Sequence, residues 1–338
     1  NSGRKSFRGV MMMSIAKKVE EMIVHPIIVP TQSGNLQTLN FYLVQIDSHL
    51  LLIDAGKDND DCWEAFCHVM EAQDFTLAQL DAIILTHNHA DHIGIVNRIR
   101  KKRDIPVYAH EKAIIRLKRE QSFLEKRIGF FTKLYEEMGC KTEAAPLIER
   151  MKTSIERNKY QRIEGDINPL VEGDNLFGLE VVEVPGHAPD HIFLWLEREN
   201  SAFVGDVIIE HSPSNALIEL GQDGQRTKSL ITYEASLRKL KTYHLEIAYA
   251  GHGKVITNPD ALIEKKLGRI QDKGKRIIGL LEGKQTAAQI AKSLYQKRYE
   301  PLLPLVMSEV IGHLDRLVHL GKAKVTKKAG IIYYEKNE

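Results

Sequence analysis

The chain has little cysteine: Cys62, Cys67 and Cys140 are the only three in 338 residues, and no two of them share a CxxC spacing. An odd, unpaired set argues against a disulfide framework. It fits free thiols, buried as small hydrophobes, in a reducing compartment. Long apolar runs are missing too. None approaches the roughly 18 residues that a membrane-spanning helix needs, so no membrane partner is expected. The opening NSGRKSFRGVMMMS lacks the hydrophobic region of a secretion signal and reads in part as a tag remnant. A cytoplasmic location is the expectation. What is present is ordinary for a soluble globular chain, at 43% hydrophobic and 27% charged. The length suits one large core, or one core with a small extra domain. The net charge of +2 is unevenly spread. Residues 261–338 hold 16 Lys or Arg against 8 Asp or Glu, so the tail carries +8 and the remainder −6. A solvated Lys-rich surface explains that split about as well as a bound partner does.

Strand and helix signals alternate. FYLVQI and HLLLIDAG read as two strands joined at DS, followed by a helix through DCWEAFCHVMEAQ. DAIILTH is a buried strand, DHIGIVNRIRKK is helical, and DIPVYAH is another short strand. This alternation implies helices covering a layered sheet, an α/β class. Residues 111–160 interrupt it with apolar spacings of three and four, read as one or two long helices. The insertion, about 111–165, is either a cap over a site or a decoration. Strands resume at LEVVEV, HIFLWLE and SAFVGDVII. A helix through TKSLITYEASLRKLKTYH, the strand EIAYAG and the turn GHG follow. Pro259 opens the next helix. Beyond Gly283, Thr286 caps TAAQIAKSLYQK, Gly321 ends LVMSEVIGHLDRLVHLG, and a hairpin turns around KKAG. The division is therefore a main domain at 20–270 and a winged-helix-like module at 275–338, expected to pack on the main body.

The chemistry concentrates in THNHADH, residues 86–92. His87 and His89 point the same way in an extended stretch and can pinch one cation; Asp91 and His92 then turn onto a helix start, aimed at a neighbouring point. A closed structural zinc site uses ligands from paired short spacings, so two adjacent metal positions explain the crowding better. The missing ligands are expected at other strand ends: His187 in VPGHAPDH, Asp206 in FVGD and His252 in YAGHG. A lone histidine is more often a packing residue. Three such elements in strand–turn contexts, added to HxHxDH, reverse that expectation.

These residues resemble those of the metallo-beta-lactamase-fold hydrolases. That superfamily includes class B beta-lactamases, glyoxalase II-type thioesterases, lactonases, tRNA 3′-processing nucleases and flavodiiron oxidases. Its THxHxDH motif matches Thr86, His87, His89, Asp91 and His92. The resemblance implies an αββα sandwich over residues 30–260, with His87, His89 and His187 on one metal. It places Asp91, His92 and His252 on a second metal, with Asp206 bridging. It makes Asp54 of LLLIDAG the acid that orients a ligand beside the motif turn, and His191 a residue supporting the ligands from behind. The family's PGHTPGH stands here as PGHAPDH, with Ala188 and Asp190. Retention of Asp91 argues against a true beta-lactamase, and no beta-CASP-type insertion fits between His187 and His252. The tail resembles that of the beta-lactamase-like protein 2 branch, part of which is associated with RNA cleavage.

The implied enzyme is a metal-dependent hydrolase that uses a metal-bridging hydroxide on a small ester, thioester or lactone-type substrate. Asp91 orients the nucleophile or accepts its proton. Nitrogen and oxygen ligands without thiolate suit two zinc ions and tolerate manganese or iron. His110, His211, Arg226 and Tyr233 are the candidates for substrate contact. Two other readings stand beside this one. One is a phosphodiesterase or ribonuclease that binds nucleic acid through the basic tail. The other is a nucleic-acid-binding or regulatory protein with a vestigial hydrolase domain. Substrate and oligomeric state are left open.

Overall fold

A computed structural model describes residues 22–32, 36–211 and 216–337. The first sheet runs β1 (Ile23–Pro30), β2 (Thr38–Ile46), β3 (His49–Ile53), β4 (Leu80–Leu85), β5 (Val107–His110) and β6 (Asn168–Leu170), in that order. β1 to β3 are antiparallel and β3 to β6 parallel. The second sheet holds β7 (Asn175–Leu176), β8 (Leu179–Glu183), β9 (Ile192–Leu196), β10 (Ser201–Gly205) and β11 (Ile247–Ala250).

The strands of the first sheet are apolar on both faces because both faces are covered. In β2, Phe41 and Leu43 join a core shared with Cys62, Phe66 and Met70 of α1 (Asp60–Ala72) and Val96 and Ile99 of α2 (Val96–Lys102). Their neighbours Tyr42, Val44 and Ile46 join Val181, Ile192, Leu194 and Phe203 of the second sheet. Leu237 of α7 (Ser229–Lys241) and Ile263 and Leu267 of α8 (Pro259–Gly279) cover that sheet's outer face. Helix, sheet, sheet and helix make the expected four-layer αββα sandwich.

The insertion departs from its reading as one or two long helices. It forms α3 (Glu111–Lys118), α4 (Gln121–Glu137), α5 (Lys141–Thr153) and α6 (Ile155–Tyr160). One break falls at Arg119, whose φ of +47° ends α3. The helix assigned to DHIGIVNRIRKK also starts late, at Val96. Residues 91–95 stay in turns, with the Gly94 amide donating to the Gly56 carbonyl at 2.7 Å. A Cβ on Gly94 would lie 2.0 Å from the backbone of Lys57 and Asp58, so only glycine fits this approach. β1, β6 and β7 carry no strand assignment in the sequence reading. Two prolines in β1 mask its pattern, and β6 and β7 are too short to show one.

α7 (Ser229–Lys241) and α8 (Pro259–Gly279) lead to α9 (Ala287–Tyr295), α10 (Leu303–His319) and the hairpin β12 (Ala323–Lys328) and β13 (Ile331–Lys336). Pro259 opens α8 behind an Asn258 cap, and Thr286 with Gln289 forms a capping box on α9. One hydrophobic cluster joins Phe131, Leu134 and Met138 of the insertion to Ile290, Val310, Leu314 and Tyr334 of the tail. Insertion and tail thus share a core. Ion pairs tie the tail to the insertion, through Lys292–Glu143 and Lys327–Glu137, and to α7, through Arg316–Glu234. Part of the basic excess of the tail is spent on acids of the body.

Candidate metal centre

Each residue of the constellation stands just past the C-terminal end of a strand. Asp54 follows β3, residues 86–92 follow β4, and His187 lies beyond β8. Asp206 follows β10, and His252 lies just past β11. The sheets therefore deliver all of them to one edge of the sandwich.

Asp54 organises that edge. It adopts a left-handed φ of +58° and is 3% exposed. Its carboxylate accepts from the Thr86 amide, the Thr86 hydroxyl and His92 Nδ1, each at 2.8 Å. The Thr86 hydroxyl in turn accepts from His87 Nδ1 at 3.1 Å. His252 Nδ1 donates to the Thr38 carbonyl at 2.7 Å. These bonds place the protons of three rings on Nδ1 and turn the Nε2 lone pairs inward.

Nε2 of His92 and His252 and Oδ1 of Asp206 are buried and lack a hydrogen-bond partner. Nε2 of His87 and of His187 lie 3.0 and 2.9 Å from Nδ1 of His89. The potential ligand atoms form three overlapping groups, each within 4.8 Å: His87, His89 and His187; His87, His92 and Asp206; Asp91, His92 and His252. Convergent buried lone pairs of this kind are costly without a cation, so the residues fit divalent ions. The chain of groups has room for two adjacent positions.

Burial, aided by the neighbouring His92, His89 and His191, pushes His87 well below the usual histidine range. Burial opposes ionisation of Asp206, yet His92 and His252 hold its carboxyl well below the usual carboxylate range. Asp91 is also held down, against burial, by His92, His89 and His252. His191 is fully buried; its Nε2 accepts from the Asp206 amide at 3.0 Å, and its ring stacks on His87. Gly251 permits a close approach at the site: a Cβ there would lie 2.5 Å from Asp206 Oδ1 and from the His92 ring.

The four remaining candidates are placed differently. His110 is buried and donates to Glu183 at 2.7 Å, while its Nδ1 accepts from the Lys112 amide. Arg226 forms a two-pronged pair with Asp315 of α10. Tyr233 is buried, and its hydroxyl donates to the Val207 carbonyl at 2.8 Å. His211 lies against Gly253, beside His252. Only His211 sits among the loops of the metal edge.

Some supporting residues escaped the sequence reading. Thr38, Asn40 and Tyr42 alternate along β2 and hold the GHG turn. Asn40 Nδ2 donates to the carbonyls of Ala250 and Gly253, and Tyr42 donates to that of Ala250. Three polar residues at a period of two in an apolar strand were the available signal. Asn88, a spacer inside the motif, donates to the buried Asp190 and ties the two histidine loops together.

Comparison with known proteins agrees with this geometry. Residues 37–252 match the metallo-beta-lactamase superfamily. The chain is 32% identical over 278 residues to the Bacillus subtilis protein named "Probable metallo-hydrolase YqjP", covering 82% of this chain and 86% of that one. It is 27% identical over 303 residues to the beta-lactamase-like protein 2 homolog of Drosophila melanogaster, covering 88% of each. The crystal structure of a metallo-beta-lactamase family protein from Thermus thermophilus shares the fold, with a TM-score of 0.75 and 23% identity. That match covers 93% of this chain and 98% of the other. The fold and site define a metal-dependent hydrolase with clusters for two divalent ions. The chain belongs to the metallo-beta-lactamase superfamily.

Proposed function

We propose that His87, His89 and His187 hold one divalent ion, that Asp91, His92 and His252 hold a second, and that Asp206 lies between them. The observation that carries this reading is the convergence of buried, unpartnered lone pairs on His92, His252 and Asp206. The donor set, free of thiolate, favours zinc and admits manganese or iron. Bound ions supply water activation and polarisation of a substrate oxygen.

The residues do the rest. Asp54 keeps His92 in one tautomer and steadies His87 through Thr86. Asp91 is the more exposed acid, its side chain 28% accessible against 6% for Asp206. It is the carboxylate positioned to meet substrate and take a proton. The substrate we propose is a small ester, thioester or lactone.

α10, the longest helix of the tail module, is covered by α7, α8 and α9; Val306, Val310, Ile311, Leu314 and Leu317 are all buried. Most of its surface is taken up in packing, which counts against a nucleic-acid groove and so against the nuclease and regulatory readings. The likeness to the Drosophila protein over most of both chains supports the beta-lactamase-like protein 2 branch. Among the described residues no helix is long and apolar enough to cross a membrane. The three free cysteines support a reducing, cytoplasmic setting.

The test pairs metal analysis with a panel of esters, thioesters, lactones, beta-lactams, bis(p-nitrophenyl) phosphate and single-stranded RNA. Two metal equivalents with turnover of a carbonyl substrate is the expected result. Turnover of RNA alone overturns the substrate class, and absence of bound metal overturns the site.

A further inference from the structure

Behind the metal edge, α7, α8 and α10 enclose a second hollow of about 350 Å³. That volume falls in the range of small-ligand pockets. One wall is a stripe on α8: Lys266, Arg269, Lys273 and Arg276, at spacings of three, four and three. Leu230, Tyr233 and Ile270 give the hollow an apolar side, and among the described residues Asp272 and Glu309 are the acids that line it. Glu309 is already engaged: it pairs with Lys273 at 3.1 Å and accepts from Tyr295. Asp272 pairs with Lys275, on the next turn of α8. Among the described residues, Arg269 and Arg276 have no carboxylate partner.

Two polar side chains at this hollow are buried. Lys266 is 5% exposed and His313 3%, and His313 Nδ1 has no hydrogen-bond partner. Burial above all, with Arg269 nearby, pushes Lys266 down to about 8. The hollow also touches the metal edge through Tyr233. Its backbone packs against Gly186, the neighbour of His187, and its hydroxyl bonds to Val207, the neighbour of Asp206.

We propose that this hollow binds an organic phosphate, its phosphoryl group held by Lys266, Arg269 and Arg276 and its apolar body lying on Leu230, Tyr233 and Ile270. Arginine and lysine donors in excess over acids suit a phosphoryl group, and the apolar wall favours a ligand larger than the free ion. His313, uncharged in its buried setting, offers one further hydrogen bond.

Calorimetric titration of the full-length, metal-loaded protein tests this directly. The probes are adenosine 3′,5′-bisphosphate, inorganic phosphate and adenosine. Expected are binding of the bisphosphate, none of adenosine, and a loss of affinity of at least about tenfold in R269A/R276A. Both arginines are on the exposed surface, so the double substitution leaves the core intact; K266M provides an independent second variant. Inorganic phosphate as tight as the bisphosphate, and equally sensitive to R269A/R276A, would retain the anion site but assign it to the free ion. No phosphate binding at millimolar probe, or binding unchanged in both variants, overturns the proposal; unchanged binding would point to the metal edge instead. Binding is read without turnover, so the result is separate from the choice of hydrolysed substrate.

Discussion

The molecule carries two polar clusters of opposite character, one buried and one only partly so. At the sheet edge, lone pairs of His92, His252 and Asp206 converge with no donor to meet them. Between α8 and α10, Lys266 and the arginines line a hollow whose acids are few and already engaged. The first cluster lacks positive charge and the second lacks negative charge. The rule that buried polar groups need partners points to cations in the first place, and a basic stripe with few acids beside an apolar wall points to an anion in the second.

The largest effect should come from breaking the first cluster. D206N is expected to lower turnover by on the order of 10²–10³ and to reduce bound metal below two equivalents. Kinetics on an uncharged ester, together with elemental analysis, measure both; full metal content with normal rates would remove Asp206 from the site. On α10, R226M strands the buried Asp315, a carboxyl that burial already raises. A cost of about 3 kcal/mol in denaturant unfolding is expected, since one partner of a buried pair is left alone. Next is D54A, which frees His92 and Thr86. A loss of about 10- to 100-fold in metal affinity is expected, and competition with a chelator measures it.

His313 separates the two regions by pH. Burial lowers it to about 4 in the fold, from 6.5 when unfolded. Between those values the unfolded chain binds the extra proton, so stability falls as pH drops from 6.5 towards 4. H313Q should therefore flatten the difference between pH 7 and 5 by about 2 kcal/mol relative to the parent. Parallel curves for both proteins would contradict the buried, neutral ring. The smallest effect belongs to K327A. The Lys327–Glu137 pair is solvent-exposed on the lysine side, so its loss should change stability by under about 1 kcal/mol.

The metal edge was legible because its parts are local. Thr86 to His92 form one short stretch, and His187, Asp206 and His252 each stand in a compact turn after an apolar run. The PGHAPDH departure was visible, but its partner was not: Asp190 bonds to Asn88, 102 residues away. Arg226 and Tyr233 follow Asp206 in sequence, but that order does not fix where their side chains end. The fold uses one to lock α10 and the other to brace the loop after β10. The basic tail suggested a partner, whereas several of its charges meet acids of the insertion and of α7.

The sequence by itself determined the sandwich class, the donor atoms of the metal edge and their chemistry. Strand-end turns and short motifs keep such groups together however the rest of the chain packs. Tertiary structure alone decided that the insertion and the tail share a core, and that the α8 stripe faces a hollow. Spacing along a helix identifies a face, but what covers that face is set by segments far away in the chain.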